Sequence, residues 1–251
     1  VISDEKEYLI SHRLRPILRA EGCADWRDFH ALLAKGRPGL KDQVVSAMTT
    51  NETSFFRDGQ PFEVYRDVIL PRLGALVAER KVRPFARKGA KVRIWCAASS
   101  TGQEPYTISM LVHEFCKRQK RLGRKGLDVV PEDFSILATD ISAQALARAM
   151  AGEFNKLEIG RGLPDEYRRH FEKHDGTWRV GEDIKGLVEF RQMNLTRDFK
   201  ALGGFDSIAC RNVLIYFDRE TKARIVSGMH DLLAPGGELL LGAQENLHGI
   251  F

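Results

Sequence analysis

The sequence predicts an α/β fold: a doubly wound, Rossmann-like parallel sheet with a small β insertion, preceded by a small all-helical amino-terminal unit. Three observations predict it. From residue 92 onward, short apolar runs alternate with amphipathic helical stretches, the pattern of β-α-β units. Residues 1–50 carry helical periodicity alone. A charged, turn-rich interruption over about 155–187 breaks the alternation before it resumes.

Taken in order, helices are predicted over 4–20, 25–34 and 39–48, separated by Glu21-Gly22 and Gly36-Arg37-Pro38-Gly39. In the first, Leu14, Ile17 and Leu18 share an apolar face, while His12, Arg13, Arg15 and Arg19 crowd the remainder with positive charge. Pro16 argues against an unbroken helix there. The next helix, over 61–80, has Pro61 suited to a first turn and Val64, Val68, Ile69, Leu73 and Leu76 at helical spacing. The basic stretch Lys81-Val82-Arg83-Pro84-Phe85-Ala86-Arg87-Lys88-Gly89-Ala90 reads as a linker or exposed loop. Strands then fall over 92–96 and 134–139, each followed by a helix, 103–120 and 143–150. Later strands lie near 188–191, 207–210 and 238–241, with a helix near 219–233. Inside the interruption Phe171, Trp178 and Val180 flank Asp175-Gly176, a dipeptide that favours a two-residue hairpin turn. The chain thus divides into a helical unit (1–50), a connecting segment with a helix and linker (51–90), and the sheet domain (91–251).

Composition narrows the function classes. With 251 residues, 43% of them hydrophobic, the chain can build a substantial core. It has no uncharged apolar run of about 18 residues, and Ser3-Asp4-Glu5-Lys6-Glu7 lacks the layout of a signal peptide. We therefore expect a cytoplasmic protein with no membrane insertion. Val1 is not an initiator methionine and opens directly into a helical pattern, so upstream sequence is expected. Cys23, Cys96, Cys116 and Cys210 are scattered without C-x-x-C or zinc-finger spacing, which points to reduced thiols and no metal. The net charge of +5 fits an acidic partner, whether nucleic acid, an anionic membrane face or an acidic protein helix, and equally fits a mildly basic solvated surface.

Chemistry concentrates at the predicted strand ends. The first strand runs into Ala97-Ala98-Ser99-Ser100-Thr101-Gly102-Gln103-Glu104, a turn of small residues leading into a helix, at the ligand position of a doubly wound sheet. No G-x-G-x-x-G is present, which argues against a pyrophosphate cradle and hence against NAD. S-adenosylmethionine fits better, having no phosphate but an ammonium, a carboxylate and two ribose hydroxyls. Glu104 can receive the ammonium or simply complement the helix start. Asp140, ending the second strand, can accept both ribose hydroxyls or cap the next helix, a task open also to Ser142. Asn194 can read adenine edges and Asn212 can hold the cofactor, while Arg211 and Tyr216 can be site residues or satisfied structural groups.

Four motifs in combination carry a family resemblance: Thr49-Thr50-Asn51-Glu52-Thr53-Ser54-Phe55-Phe56-Arg57, Ala98-Ser99-Ser100-Thr101-Gly102-Gln103-Glu104-Pro105-Tyr106, Cys210-Arg211-Asn212-Val213-Leu214-Ile215-Tyr216-Phe217 and Gly242-Ala243-Gln244-Glu245-Asn246. Together they resemble the CheR family of chemotaxis receptor glutamate methyltransferases, across nearly the whole chain. The resemblance implies a cofactor site built from Asn51, Thr53, Arg57, Glu104, Asp140, Asn194, Leu195, Arg211 and Asn212, with Arg57 and Tyr216 at the methyl-transfer centre. It also implies a final strand beyond Phe251. Gln103 stands where many relatives carry a second glutamate, and Gly242-Ala243-Gln244 replaces a commoner serine-containing version.

The resemblance extends to partners. The acidic methylation helices of receptors are expected to dock on the basic first helix through Arg13, Arg15 and Arg19. Some relatives also tether to a receptor's carboxyl-terminal pentapeptide, but the short turn His174-Asp175-Gly176-Thr177 lacks their longer glycine-rich loop, so tether-independent action by a monomer is expected. Two rival readings are a nucleic-acid methyltransferase, for which no RNA-binding module is recognisable, and a non-catalytic cofactor-sensing module, against which intact Arg57 and Tyr216 argue.

Overall fold

The computed structural model describes residues 7–82 and 91–250; the expected helix start at 4–6, most of the basic linker (83–90) and Phe251 lie outside the described residues. Three helices come first: α1 (Glu7–Ala20), α2 (Trp26–Ala34) and α3 (Leu40–Met48). Leu14 and Leu18 of α1 meet Phe29 and Leu40 in a small core of their own, as the apolar stripe predicted. Pro16 does not break α1; it sits on the exposed side of the helix beside exposed His12, whose carbonyl loses its helical donor where water can replace it. Asp25 caps α2, accepting from the backbone N–H groups of Arg27 (2.8 Å) and Asp28 (2.9 Å).

An irregular segment over 49–59 leads to α4 (Gln60–Val64), a π-helical turn (Tyr65–Ile69) and α5 (Leu70–Val82), which run on without a break. Lys81 and Val82, expected in the linker, belong to the last turn of α5. There Lys81 is held by Asp133 (Nζ–Oδ2 2.8 Å), and Arg80 pairs with buried Asp206 at the start of the sheet (2.6 Å).

Five strands follow in the main sheet, in the order β6-β2-β1-β7-β8, and every neighbouring pair is parallel. They are β1 (Val92–Ala97), β2 (Phe134–Asp140), β6 (Val188–Gln192), β7 (Phe205–Cys210) and β8 (Leu233–Leu241). The crossovers include α6 (Gln103–Leu122), α7 (Ala143–Ala151) and α10 (Arg219–Leu232). Period-two alternation sorts the side chains to two faces. Ile94, Cys96, Ile136 and Ala138 join the core with α5 and α6, whereas Trp95, Ala97, Leu137 and Ile208 join a second core with α10. Trp95 is fully buried between Phe199 and Phe205 and donates its indole N–H to Thr139 (2.9 Å). The strand order reverses between β1 and β7, which opens a crevice beyond their carboxyl ends.

The β insertion forms a separate antiparallel sheet of β3 (Glu153–Phe154), β4 (Phe171–His174) and β5 (Thr177–Val180), ordered β3-β5-β4, with short helices α8 (Lys156–Gly160) and α9 (Glu182–Lys185). Asp175 (φ 43°) and Gly176 (φ 81°) both turn through positive φ, the geometry of the two-residue turn predicted there. The insertion starts earlier than 155, because Glu153 and Phe154 pair with Arg179 and Trp178.

That insertion grips the irregular segment. Phe55 is fully buried edge-on against Phe154 (4.9 Å) and Phe171 (5.4 Å), and Phe56 rests on Tyr167 (4.6 Å). Gly162 (φ +96°) lies so close that a Cβ there would meet the Phe55 carbonyl oxygen at 2.2 Å. Phe55→Ala should therefore cost about 3–5 kcal/mol of unfolding free energy by urea titration, as for a large core aromatic.

Candidate active site

Residues beyond β1 and β2 are shaped by backbone strain and by one carboxylate. Ala98 (φ 63°) and Ser100 (φ 51°) adopt left-handed conformations directly after β1. Asp140 fixes the second of these: its Oδ2 accepts from Ser100 N–H (2.8 Å), while its Oδ1 accepts from Ser142 N–H (2.9 Å). Ser142, not Asp140, caps α7, accepting from Ala145 N–H (3.1 Å), so the helix-cap alternative for Asp140 falls away. Burial pushes the Asp140 carboxyl above the ordinary carboxylate range, opposed by these backbone donors.

Beyond β7 the chain turns at Arg211, whose side chain is 2% exposed. Its guanidinium reaches three ways: to Glu104 at the start of α6 (2.9 Å), to Asp58 (2.9 Å) and to the carbonyl of Arg57 (2.8 Å). Its cationic face lies over buried Phe62, 4.9 Å from the ring centroid. Burial raises the Glu104 carboxyl even against the attraction of Arg211.

The segment over 49–58 closes the crevice from the helical side. Its start is held by α1, where Arg13 donates to the carbonyls of Met48 (3.0 Å) and Thr49 (3.4 Å), the unsatisfied end of α3. Its middle is held by Ser100, whose hydroxyl donates to Asn51 O (3.2 Å), and by the Glu52–Arg161 pair (2.6 Å). Phe56 (φ 50°) and Asp58 (φ 69°) bend it back, and Arg57 donates to the carbonyl of Glu52.

The result is a cavity of about 430 Å³. Asn51, Thr53, Arg57, Glu104, Asp140, Asn194, Leu195, Arg211, Asn212 and Tyr216, singled out in sequence, all line it. Asn194 is locked by Thr196, which donates to its Oδ1 through N–H (2.9 Å) and hydroxyl (2.8 Å), leaving the amide NH₂ without a partner among the described residues. Tyr216 is half exposed at the end of a single 3₁₀ turn, Leu214–Tyr216.

Sequence reasoning missed five contributors. Asp58 carries no signal that would pair it with Arg211. Leu9, Arg13 and Met48 of the helical unit line the cavity, and Arg13 is turned inward where a free docking cation was expected, unlike exposed Arg15 and Arg19. Glu245 accepts from four backbone N–H groups: Asn212 (2.7 Å), Val213 (2.9 Å), Leu214 (2.7 Å) and Gly242 (2.8 Å). Its place in the fourth motif was the only trace of it.

The cavity suits S-adenosylmethionine by its donor set. Glu104 and Asp140 present carboxylates toward an ammonium and a vicinal diol, and two buried wall atoms, Ser99 Oγ and Arg211 Nε, have no partner among the described residues. Arg211→Met would leave Glu104 buried and unpaired, costing about 3–5 kcal/mol in denaturation experiments at neutral pH. Without Arg211 the folded-state pKa of Glu104 rises further above its unfolded value, so stability falls as pH rises through it. The deficit should therefore be larger near about pH 8 than near about pH 5.

Residues 51–250 match the family described as "CheR methyltransferase, SAM binding domain". The "Chemotaxis protein methyltransferase 1" of Pseudomonas aeruginosa is 41% identical over 252 residues, spanning 100% of this chain and 86% of its own length. "Chemotaxis protein methyltransferase Cher2" of Pseudomonas putida is 40% identical, over 100% of this chain and 86% of its own. "Chemotaxis protein methyltransferase 1" of Vibrio cholerae is 42% identical, over 100% and 85% respectively. A cavity walled by residues of three of the four motifs and similarity of this degree over the whole of this chain lead to one assignment: the chain belongs to the CheR family of S-adenosylmethionine-dependent chemotaxis methyltransferases.

Proposed function

We propose that the protein methylates glutamate side-chain carboxylates of chemoreceptors, forming methyl esters in chemotaxis adaptation, and that it does so in the cytoplasm as a monomer. The observation that carries this reading is the absence of a free base: among the described residues lining the cavity there is no histidine, cysteine or lysine. Its carboxylates are already engaged, Glu104 by Arg211, Asp140 by backbone N–H groups and Glu52 by Arg161. An amine acceptor would need deprotonation, whereas a glutamate is already ionised near neutral pH. The names of the relatives support the same acceptor class.

When bound, S-adenosylmethionine supplies an electrophilic methyl group on a sulfonium sulfur. Glu104 would receive its ammonium and Asp140 its ribose hydroxyls, with Asn51, Thr53, Asn194, Leu195 and Asn212 completing the enclosure. Arg57 would orient the incoming carboxylate, whose oxygen would provide the electron pair for the new C–O bond as the methyl–sulfur bond breaks and its pair stays on sulfur, and Tyr216 would donate a hydroxyl hydrogen bond. Catalysis then rests on alignment and desolvation of unlike charges, with no proton transfer.

Receptor helices dock on the exposed cations Arg15 and Arg19 of α1. Arg13 contributes differently, by fixing the end of α3 beside the cavity. The two-residue turn at Asp175-Gly176 offers no extended loop for a receptor's terminal pentapeptide, which favours tether-independent action.

The test is transfer of labelled methyl groups to receptor-containing membranes, with RNA as a parallel acceptor; base-labile label in receptor alone is expected, and label in RNA alone contradicts the reading. Arg57→Ala should abolish transfer while S-adenosylhomocysteine affinity drops about tenfold or less. Arg15→Glu and Arg19→Glu should raise KM for receptor at low salt, an effect that fades with ionic strength. Arg13→Glu should lower activity at every salt concentration.

A further inference from the structure

The four-bond acceptor Glu245 follows the end of β8 and makes no ion pair among the described residues. Cys210 of β7 and Leu241 of β8 are register partners, so the turns that follow them, 211–216 and 242–245, leave the sheet side by side. The second turn closes on itself through Glu245 N–H to Gly242 O (2.9 Å) and aims the Glu245 carboxylate back at the first. There Oε1 takes Val213 and Leu214 N–H, and Oε2 takes Asn212 and Gly242 N–H. Four donors fill the acceptor capacity of a carboxylate, so it has nothing left for a substrate.

What it holds is the strained turn that carries Tyr216. Asn212 stands at φ 57°, a left-handed conformation that persists in a non-glycine residue because its surroundings impose it. The N–H groups of Val213 and Leu214 open the single turn Leu214–Tyr216, too short to order itself, which leaves Tyr216 half exposed beside the cavity it lines. Gly242 is fitted to the same purpose, since a Cβ there would lie 2.5 Å from Asn212 Oδ1 and 2.7 Å from Glu245 Oε2.

We propose that Glu245 is a positioning residue for methyl transfer, which acts by clamping the 212–216 turn so that the Tyr216 hydroxyl meets the acceptor carboxylate. The role rests on the acceptor reading above. Glu245→Gln keeps size but turns an amide NH₂ toward two N–H donors, and Gly242→Ala pushes the clamp apart without changing charge.

Both variants, alone and combined with Tyr216→Phe, are to be assayed for kcat on receptor membranes, for S-adenosylhomocysteine binding by calorimetry and for melting temperature. Each single variant should lose on the order of 10- to 100-fold in kcat, the penalty of a misplaced orienting group, with ligand affinity falling far less. In the Tyr216→Phe background the same changes should cost no more than about threefold, because the clamp then has no hydroxyl to place. Equal losses in both backgrounds, a parallel loss of ligand binding, or full activity of folded Glu245→Gln would overturn the role. If Glu245→Gln does not fold, Gly242→Ala decides by the same criteria. Wild-type protein that transfers no methyl group to receptors would overturn the acceptor reading and the clamp together, whereas active wild type with unaffected variants contradicts the clamp alone.

Discussion

A guanidinium with almost no access to water holds this structure's candidate site together. Removing Arg211 from solvent carries a desolvation penalty of several kcal/mol, which must be offset where it lies. The partners come from distant parts of the chain: Glu104 from the start of α6, Asp58 and the Arg57 carbonyl from the segment between the helical unit and the sheet, and the face of Phe62 from α4. Each is needed to keep the charge buried. The end of β7, the start of α6 and the irregular segment are therefore fixed relative to one another by a single side chain, and the cavity lies between them.

The same segment is fastened from two further directions. The β insertion receives Phe55 and Phe56 and pairs Arg161 with Glu52, while the helical unit contributes Arg13 to the carbonyls at the end of α3. An insertion and an amino-terminal unit that look accessory in the sheet topology thus both brace the segment that walls the cavity. Arg15 and Arg19 are exposed on the same helix whose Arg13 lines the cavity.

Legibility in the sequence followed the range of the interaction. Strand alternation and helical stripes placed the sheet, the two-residue hairpin turn and the small helical core, because those signals come from neighbours in sequence. Asp140 was legible for the same reason, as an acid at a strand end followed by a better cap, Ser142. The segment 51–57 is by composition only a polar loop, and its place among candidate site residues came from family resemblance. Arg13 and Glu245 escaped because they serve backbone groups far along the chain, and a backbone N–H or carbonyl leaves no mark in a sequence. Lys81 misled because a lysine with a carboxylate partner far along the chain continues a helix that composition alone would end, whereas the helix expected over 4–20 does run through Pro16.

The claim on which the rest depends is that Arg211 and Asp58 hold the irregular segment over the strand ends. Amide hydrogen exchange on the full chain carrying Asp58→Asn tests it directly. Loss of protection is expected together in peptides covering 52–58 and 211–214, with protection partly regained when S-adenosylhomocysteine is added and with α2 unaffected. Unchanged exchange in both peptides would contradict the account.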